Sequence, residues 1–373
     1  MSLTKNRISN VSQRKIIQYL KSLLKKRPDL AKKYEKARTV VRAFRRPAFY
    51  EISTRCNLSC EGCYYFDNST ATHTDTNEPL EKWDEFFASE AKRGVSMAYF
   101  VGAEPAMDQE RLLIASRYFH YGNIGTNGTI PIPPSVPFRI GVSVWGIDNT
   151  DIKLRNSNAF HIAVKNFEGD PRAIMLYTVT HWNINQIRKV TNICFNAGLE
   201  LTFNLYSPTH SFISKLAAYT GNSGSYFRVS APDDNPCLTN NDLARTRDVI
   251  GQLIDDYPDT VIYSHQYNIW STNPGPCYKI DPQTGIAQDC HSRVIEPMRY
   301  YTTSLQQIDV KCCTPSVDCS QCRMYSGGWS SKFVPTMADV ESPEAFEKWS
   351  HMIEILGRIF LFEKNSSKGI STF

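Results

Sequence analysis

Three cysteines stand close together in Glu51-Ile-Ser-Thr-Arg-Cys56-Asn-Leu-Ser-Cys60-Glu-Gly-Cys63-Tyr64, spaced Cys-x3-Cys-x2-Cys with no fourth cysteine nearby. Three thiolates on one short loop can each hold one iron of a [4Fe–4S] cube, whose usual ligand set is four, and so leave one iron open to an outside ligand. The other chemistry this spacing allows is a zinc site that borrows a distant fourth ligand, because Cys60-x2-Cys63 is common in zinc ribbons. A second group lies downstream as Cys277-x12-Cys290, then Cys312-Cys313-x5-Cys319-x2-Cys322. Of the eleven cysteines only Cys194 and Cys237 stand apart, the first inside a helical pattern as a core thiol, the second after Asn235-Pro236. No Ser-His-Asp arrangement and no phosphate-cradling glycine loop accompanies them.

The rest of the chain says which cysteine chemistry to expect. Its first 30 residues hold no uninterrupted apolar segment, since Ile16–Leu24 is broken by Gln18, Tyr19, Lys21 and Ser22, so a cytoplasmic location is expected. No apolar run approaches the ~20 residues of a spanning helix. Disulfides are rare in that compartment, and clustered cysteines there point to metal or redox chemistry. The net charge of +5 conceals a division: residues 1–46 hold 15 Lys and Arg against Asp29 and Glu35, while the remainder is net acidic. Such a basic arm suits a helical hairpin with its charged face in water, or peripheral contact with an anionic membrane surface. Nucleic acid fits it less well, because Tyr19, Tyr34 and Phe44 fall on the apolar stripe rather than among the bases.

The elements that must position these residues follow from periodicity. Residues 11–45 carry apolar positions at three and four, broken at Pro28, and read as two helices. From residue 48 short β-rich runs (48–53, 97–101, 121–126, 138–145, 173–180 and 199–206) alternate with helical stretches at 80–93, 109–118, 158–167 and 183–197. That alternation predicts an α/β fold with a parallel sheet, a partial (β/α)6 TIM-like barrel with chemistry at the C-terminal ends of its strands. A helix over 240–257 follows, then a turn-rich, cysteine-rich extension that a metal would order, and an amphipathic helix over 343–362. The expected divisions are an arm (1–46), the barrel (47–235), the cysteine-rich extension (236–330) and a C-terminal helix and tail (331–373).

With Asn57-Leu58 after its first cysteine, at the end of the first strand of a partial barrel, the cysteine loop resembles that of the radical S-adenosylmethionine (SAM) superfamily. Val101-Gly-Ala-Glu-Pro105 after the second strand is similar to that family's Gly-Gly-Glu-Pro motif, with Ala103 for the second glycine. Thr126-Asn-Gly128 after the third strand and Val142-Ser-Val-Trp-Gly146 on the fourth also match in kind, and the resemblance covers about residues 48–230. One departure is Gly62, where many members carry an aromatic; here Tyr64, Tyr65 and Phe66 follow instead.

The resemblance implies that Cys56, Cys60 and Cys63 hold a [4Fe–4S] cluster and that SAM chelates its open iron. It implies cofactor contacts from Tyr65, from Gly102, Ala103 and Glu104, from Asn127, from Ser143 to the ribose and from Arg155 to the carboxylate; a solvated loop position is the alternative for Arg155. Reductive cleavage would give a 5′-deoxyadenosyl radical that abstracts a substrate hydrogen. The chain would then be an oxidoreductase-like enzyme that oxidises, epimerises or otherwise modifies a small molecule or peptide, with an electron donor such as flavodoxin or ferredoxin. The second cysteine group resembles the SPASM and twitch extensions, implying an auxiliary cluster on Cys277, Cys290, Cys319 and Cys322, with Cys312 or Cys313 as a substitute for one of them. A zinc knuckle is the other reading of those four. Asp318-Cys-Ser-Gln-Cys-Arg323 also has a look of adenosyl-transferring enzymes acting on lipids, and a non-catalytic metal-stabilised scaffold is a further alternative. His181, His210, Asn204 and Tyr206, at the ends of strands five and six, are candidates for the barrel mouth.

Overall fold

The computed structural model describes residues 2–67, 78–218, 226–291, 298–308 and 317–363. Six parallel strands form the expected open barrel: β1 (Pro47–Ser53), β2 (Met97–Gly102), β3 (Gly122–Thr126), β4 (Arg139–Val144), β5 (Ala173–Val179) and β6 (Glu200–Leu205). They lie in the order 6-5-4-3-2-1, so each βα unit adds its strand beside the last on the same side, an order that short connections between neighbours allow. Past β1 the sheet continues with β7 (Arg299–Tyr301), parallel to β1, and β8 (Gln307–Ile308), antiparallel to β7. A single parallel bridge, Leu201–Val261, extends the β6 side. The sheet is not closed.

The longer helices form where the sequence pattern places them, several short ones form where it gives no helical period, and local chemistry sets their ends. The arm is α1 (Ser2–Lys26) and α2 (Asp29–Ala43), parted at Pro28. Helix α3 (Leu80–Arg93) stops at Gly94, whose φ of 83° is the left-handed conformation that glycine adopts most readily. α4 (Gln109–Ala115), α5 (Asp148–Arg155), α6 (Ala159–Phe167), α7 (Ile187–Asn196) and α8 (His210–Ala218) follow within the barrel. A capping box between Thr239 and Asp242 starts α9 (Asn240–Asp256), which packs on α7, and α10 (His265–Ser271) follows it. Two short helices, α11 (Tyr325–Ser330) and α12 (Met337–Val340), lead to α13 (Pro343–Phe360), which has Ser342 as its cap and Pro343 in its first turn. Among the described residues no helix is long and apolar enough to cross a membrane.

Helix α13 covers the end of the barrel opposite the cysteine loop. Arg139, at the start of β4, and Arg358 of α13 both pair with Glu200 at the start of β6, and Arg139 Nε donates to the Ile359 carbonyl. Phe360 stacks on Tyr325 at 5.1 Å and meets Tyr99 of β2 edge-on. The arm packs on the outside of α13. Leu30, Ala37 and Val40 of α2 are fully buried, Leu20 of α1 is buried, and Ile16, Leu23 and Leu24 pack against the same core. The apolar stripe of the arm therefore faces inward, and from Arg14 onward its lysines and most of its arginines, with Ile17 and Tyr19, face water.

This makes the arm part of the core rather than an appendage. Leu30→Ala should lower the unfolding free energy by about 2–5 kcal/mol, the usual cost of such a cavity. Lys36→Gln on its exposed face should stay within about 0.5 kcal/mol. Denaturant unfolding of both variants checks the pair, and equal effects would place the arm outside the core.

Candidate functional site

The C-terminal ends of the strands surround a cavity of about 260 Å³, a little below the usual range of small-molecule sites. Because alternate strand residues point inward, its walls come from Phe49 of β1, Tyr99 and Val101 of β2, Asn123 and Gly125 of β3, Ser143 of β4, Leu176 and Thr178 of β5, and Asn204 of β6. Cys56, Cys60 and Cys63 all lie on its rim, with Tyr64, Tyr65 and Phe66 beside them. Tyr65, Gly102, Ala103, Asn127, Ser143 and Arg155 line it too, so nearly all residues singled out for cofactor contact meet there.

Backbone pairing fixes the cysteine loop against the strand ends. Ala103 N–H donates to the Ser53 carbonyl at 2.8 Å and Glu104 N–H to that of Arg55 at 2.9 Å, which carries the β1–β2 pairing beyond the strands. Gly102 has φ 110°, and a Cβ there would stand 2.5 Å from the Ser53 oxygen, so only glycine fits this crossing. On the other side Glu61 N–H bonds the Leu154 carbonyl and Gly62 N–H that of Arg228, while Glu61 Oε1 accepts from Ser230 N–H. Gly62 has φ 57°, and a Cβ there would lie 2.3 Å from the Tyr206 hydroxyl. That explains the missing aromatic: β6 leads into Tyr206, whose hydroxyl, with the Phe212 ring beside it, occupies the space a side chain at position 62 would need.

Glu104 does not line the cavity. It is fully buried, and its carboxylate accepts from Ala106 N–H at 2.9 Å, Thr126 Oγ1–H at 2.6 Å and Asn127 N–H at 2.6 Å. Burial raises its pKa, and these three donors oppose the rise. The Asn127 side chain then reaches back to the cysteine loop, donating to Asn57 Oδ1 at 2.8 Å and lying 3.9 Å from Cys56 Sγ. Arg155 is not a solvated loop residue. Only 2% exposed, it donates to the Ser143 carbonyl at 2.6 Å and the Asn127 carbonyl at 3.4 Å, and its Nε has no hydrogen-bond partner among the described residues. Burial pushes the Cys56 thiol up to about 11 and the Cys63 thiol up to about 12. It also raises Cys60, against the attraction and hydrogen bond of Arg155.

The residues present suit a cluster with an open iron. Three thiols share one cavity wall, and the buried Nε–H of Arg155 lacks an acceptor beside them. Among the described residues no three His, Cys, Asp or Glu side chains converge as ligands of one ion do. A cube binds each thiolate at a different corner, so its ligands stand farther apart than those of a single ion.

The second cysteine group also comes together. Cys277, Cys290, Cys319 and Cys322 pack with Tyr278, Ala287 and Val317 in an apolar cluster separate from the main core. A small hairpin, paired at Ile280–Ala287 and turning through Asp281–Gly285, brings Cys277 and Cys290 to its base. The Asp318 carboxylate accepts from Ser320 N–H and so shapes the turn between Cys319 and Cys322. This segment is tied to the end of β6: Val317 pairs with Thr209, Asp318 N–H donates to the Pro208 carbonyl, Arg323 N–H to Ser207 Oγ, and Tyr325 N–H to Asn204 Oδ1. Met324 and Tyr325 thereby become cavity walls. None of the nine described cysteines is in a disulfide; Cys312 and Cys313 lie outside the described residues.

Of the other candidates, Asn204 and Tyr206 line the cavity, whereas His181 turns away to Asp242 at 2.9 Å and Cys194 is buried in the core. Sequence reasoning passed over Glu51, which shares the inner face of β1 with Phe49. Burial pushes its carboxyl up to about 7, against hydrogen bonds from Tyr300 and Tyr65. Inward polar residues on otherwise apolar strands (Glu51, Asn123, Ser143, Thr178, Asn204) were the available signal.

No family model matches the chain, and no curated protein sequence does. Solved structures similar to it in fold include SuiB of Streptococcus suis, at TM-score 0.49 and 12% identity over 82% of this chain and 66% of that one. SuiB bound to S-adenosylmethionine gives 0.48 and 13%, over 70% of this chain and 59% of that one. anSMEcpe with bound AdoMet gives 0.47 and 14%, over 81% and 82%. The chain thus spans about three fifths to two thirds of the length of SuiB in these two matches.

Two variants probe the geometry without any cofactor. Glu104→Gln puts an amide N–H₂ among three donors and should lower stability by about 2–3 kcal/mol, read from thermal unfolding. An unchanged midpoint would mean the three bonds are not made. Glu51 is held above its unfolded pKa, so its destabilising effect grows as pH rises from about 4.5 through about 7. Glu51→Gln should therefore match wild type at pH 4.5 and gain on the order of 3 kcal/mol over it by pH 8. Parallel stability curves would show that Glu51 is not desolvated.

Proposed function

We propose that the chain is a radical SAM enzyme with two [4Fe–4S] clusters. The observation that carries this reading is the set of three thiols on one loop facing Gly102 and Ala103 across a cavity at the strand ends. Cys56, Cys60 and Cys63 hold the first cluster, whose bound form supplies the electron that splits SAM into methionine and a 5′-deoxyadenosyl radical. The chain's own residues bind and orient. Backbone oxygens of the Gly102–Ala103 segment accept from the SAM amino group, Ser143 bonds the ribose, and the free Nε–H of Arg155 meets the carboxylate. Asn127 keeps the Cys56 segment against β3, and Glu104 keeps Asn127 in place. Tyr64, Tyr65, Tyr99, Trp145 and Tyr206 exclude water from a site that must protect a radical.

The four cysteines of the extension hold the second cluster, beside the cavity wall made by Met324 and Tyr325. The substrate is a small molecule or a peptide side chain with an unactivated C–H bond, and the electron donor is a flavodoxin- or ferredoxin-type protein.

Anaerobically reconstituted protein with dithionite and SAM should release 5′-deoxyadenosine, and Cys56→Ala, Cys60→Ala or Cys63→Ala should abolish the release. A well-formed iron–sulfur spectrum without that product would overturn the reading. Iron analysis should give about eight per chain, falling to about four in the Cys319→Ala/Cys322→Ala double variant. Four irons with one zinc in wild type would make the second site a zinc knuckle.

A further inference from the structure

The extension buries an arginine whose charge finds no carboxylate among the described residues. Arg323 is 7% exposed, and its four terminal N–H groups are all used. Nη1 donates to the Ser271 carbonyl at 2.7 Å and to Cys277 Sγ at 2.9 Å, while Nη2 donates to the carbonyls of Asn273 at 3.0 Å and Gly275 at 2.7 Å. No carboxylate among the described residues forms an ion pair with it. A buried guanidinium served only by neutral carbonyls is costly, and its environment must supply negative charge. Cys277 Sγ is the partner placed to carry that charge.

Lys332 is the second cation there. Its Nζ sits 4.1 Å from the centre of the Trp270 ring and feels Cys277, with Asp339 and Asp289 also near. Around the three-cysteine loop the balance differs: the cations Arg155 and Arg228 face Glu104 and Asp151, both fully buried, whereas Asp289 and Asp339 near the second group are exposed or partly so and screened by water. A cube on four thiolates is anionic and gains one more negative charge on reduction. Cations and N–H donors at its sulfurs therefore favour the reduced form.

We propose that Arg323 sets the reduction potential of the second cluster and holds it above that of the first. The proposal rests on the reading that Cys277, Cys290, Cys319 and Cys322 carry a [4Fe–4S] cluster. Arg323 touches neither substrate nor SAM; it acts through Cys277 and is a positioning residue. A higher potential suits the second cluster to take an electron from the cavity side. A substrate-centred carbon radical that loses that electron, and one proton to solvent or a base, leaves as a two-electron-oxidised product, and the cluster leaves reduced by one electron.

Redox titration of the reconstituted full chain without SAM, followed by electron paramagnetic resonance, tests this. Wild type should show two one-electron transitions, and the Cys319→Ala/Cys322→Ala variant should lose the higher one. In Arg323→Gln the higher transition should move down, so that at the wild-type midpoint its reduced-to-oxidised ratio falls at least tenfold, or 59 mV. The lower transition should stay in place. Arg323→Lys, which keeps charge but not the fork, and Lys332→Gln, whose charge is shared with two carboxylates, should shift it the same way by less. If Arg323→Gln loses the second cluster, these two variants decide. Two intact clusters with neither midpoint moved in any variant, or a second cluster titrating below the first in wild type, would overturn the proposal. Wild type with about four irons would instead refute the cluster assignment.

Discussion

A carboxylate taken wholly out of water must have its oxygens occupied, and the site is organised around one that does. Glu104 draws three donors from the ends of β2 and β3, so those strand ends cannot drift apart without leaving a buried charge unsatisfied. The constraint propagates. Asn127, held through its backbone by Glu104, bonds Asn57 beside Cys56, and the Asn127 carbonyl accepts from Arg155, which also holds the Ser143 carbonyl at the end of β4. Glu104, Asn127, Arg155 and Ser143 thus form one polar belt across three strand ends. Four residues picked out separately by motif turn out to be bonded to one another, and only three of them reach the cavity.

The belt explains why motif reading and geometry agree on place and differ on role. The sequence marks Glu104 as part of a cofactor-binding turn, but the side chain points into the protein and its service to the cavity is indirect. Arg155 lies in a polar segment that reads as a loop, since nothing in Asp148–Arg155 has an apolar period; tertiary contacts with the belt and with Phe160 fold it as α5. Gly62 reads as a departure from pattern because a sequence cannot show that Tyr206, more than 140 positions away, stands where its side chain would go.

The six barrel strands were legible because each is a short β-rich run between helical patterns, and their parallel order follows from that alternation. β7 was not. Arg299–Tyr301 lies in a turn-rich stretch, and three residues carry no period of their own. They become a strand because β1 offers an unpaired edge and Tyr300 stacks on Phe49, a contact between residues about 250 positions apart. The inner lining was half legible: alternation tells which residues share a face, but which face is inside depends on how the sheet curls.

The two cysteine groups differ in what holds them. The first loop is tied by backbone hydrogen bonds to β1, β2, α5 and the segment after β6, and its thiols stand on a barrel with a continuous core of its own. The second is held by a small hairpin, by hydrogen bonds from its last segment to the end of β6 and from Arg323 to the Ser271–Gly275 turn, and by an apolar cluster in which the cysteines themselves are prominent members. Burying so little apolar surface offsets only part of the chain entropy lost in ordering the extension. Ligand bonds to the proposed metal would supply what such a cluster lacks, because their free energy is available only to the folded arrangement. On the proposed reading, metal binding would be coupled to folding in the extension far more than in the barrel, and Met324 and Tyr325, which follow Cys322, line the cavity beside the first loop.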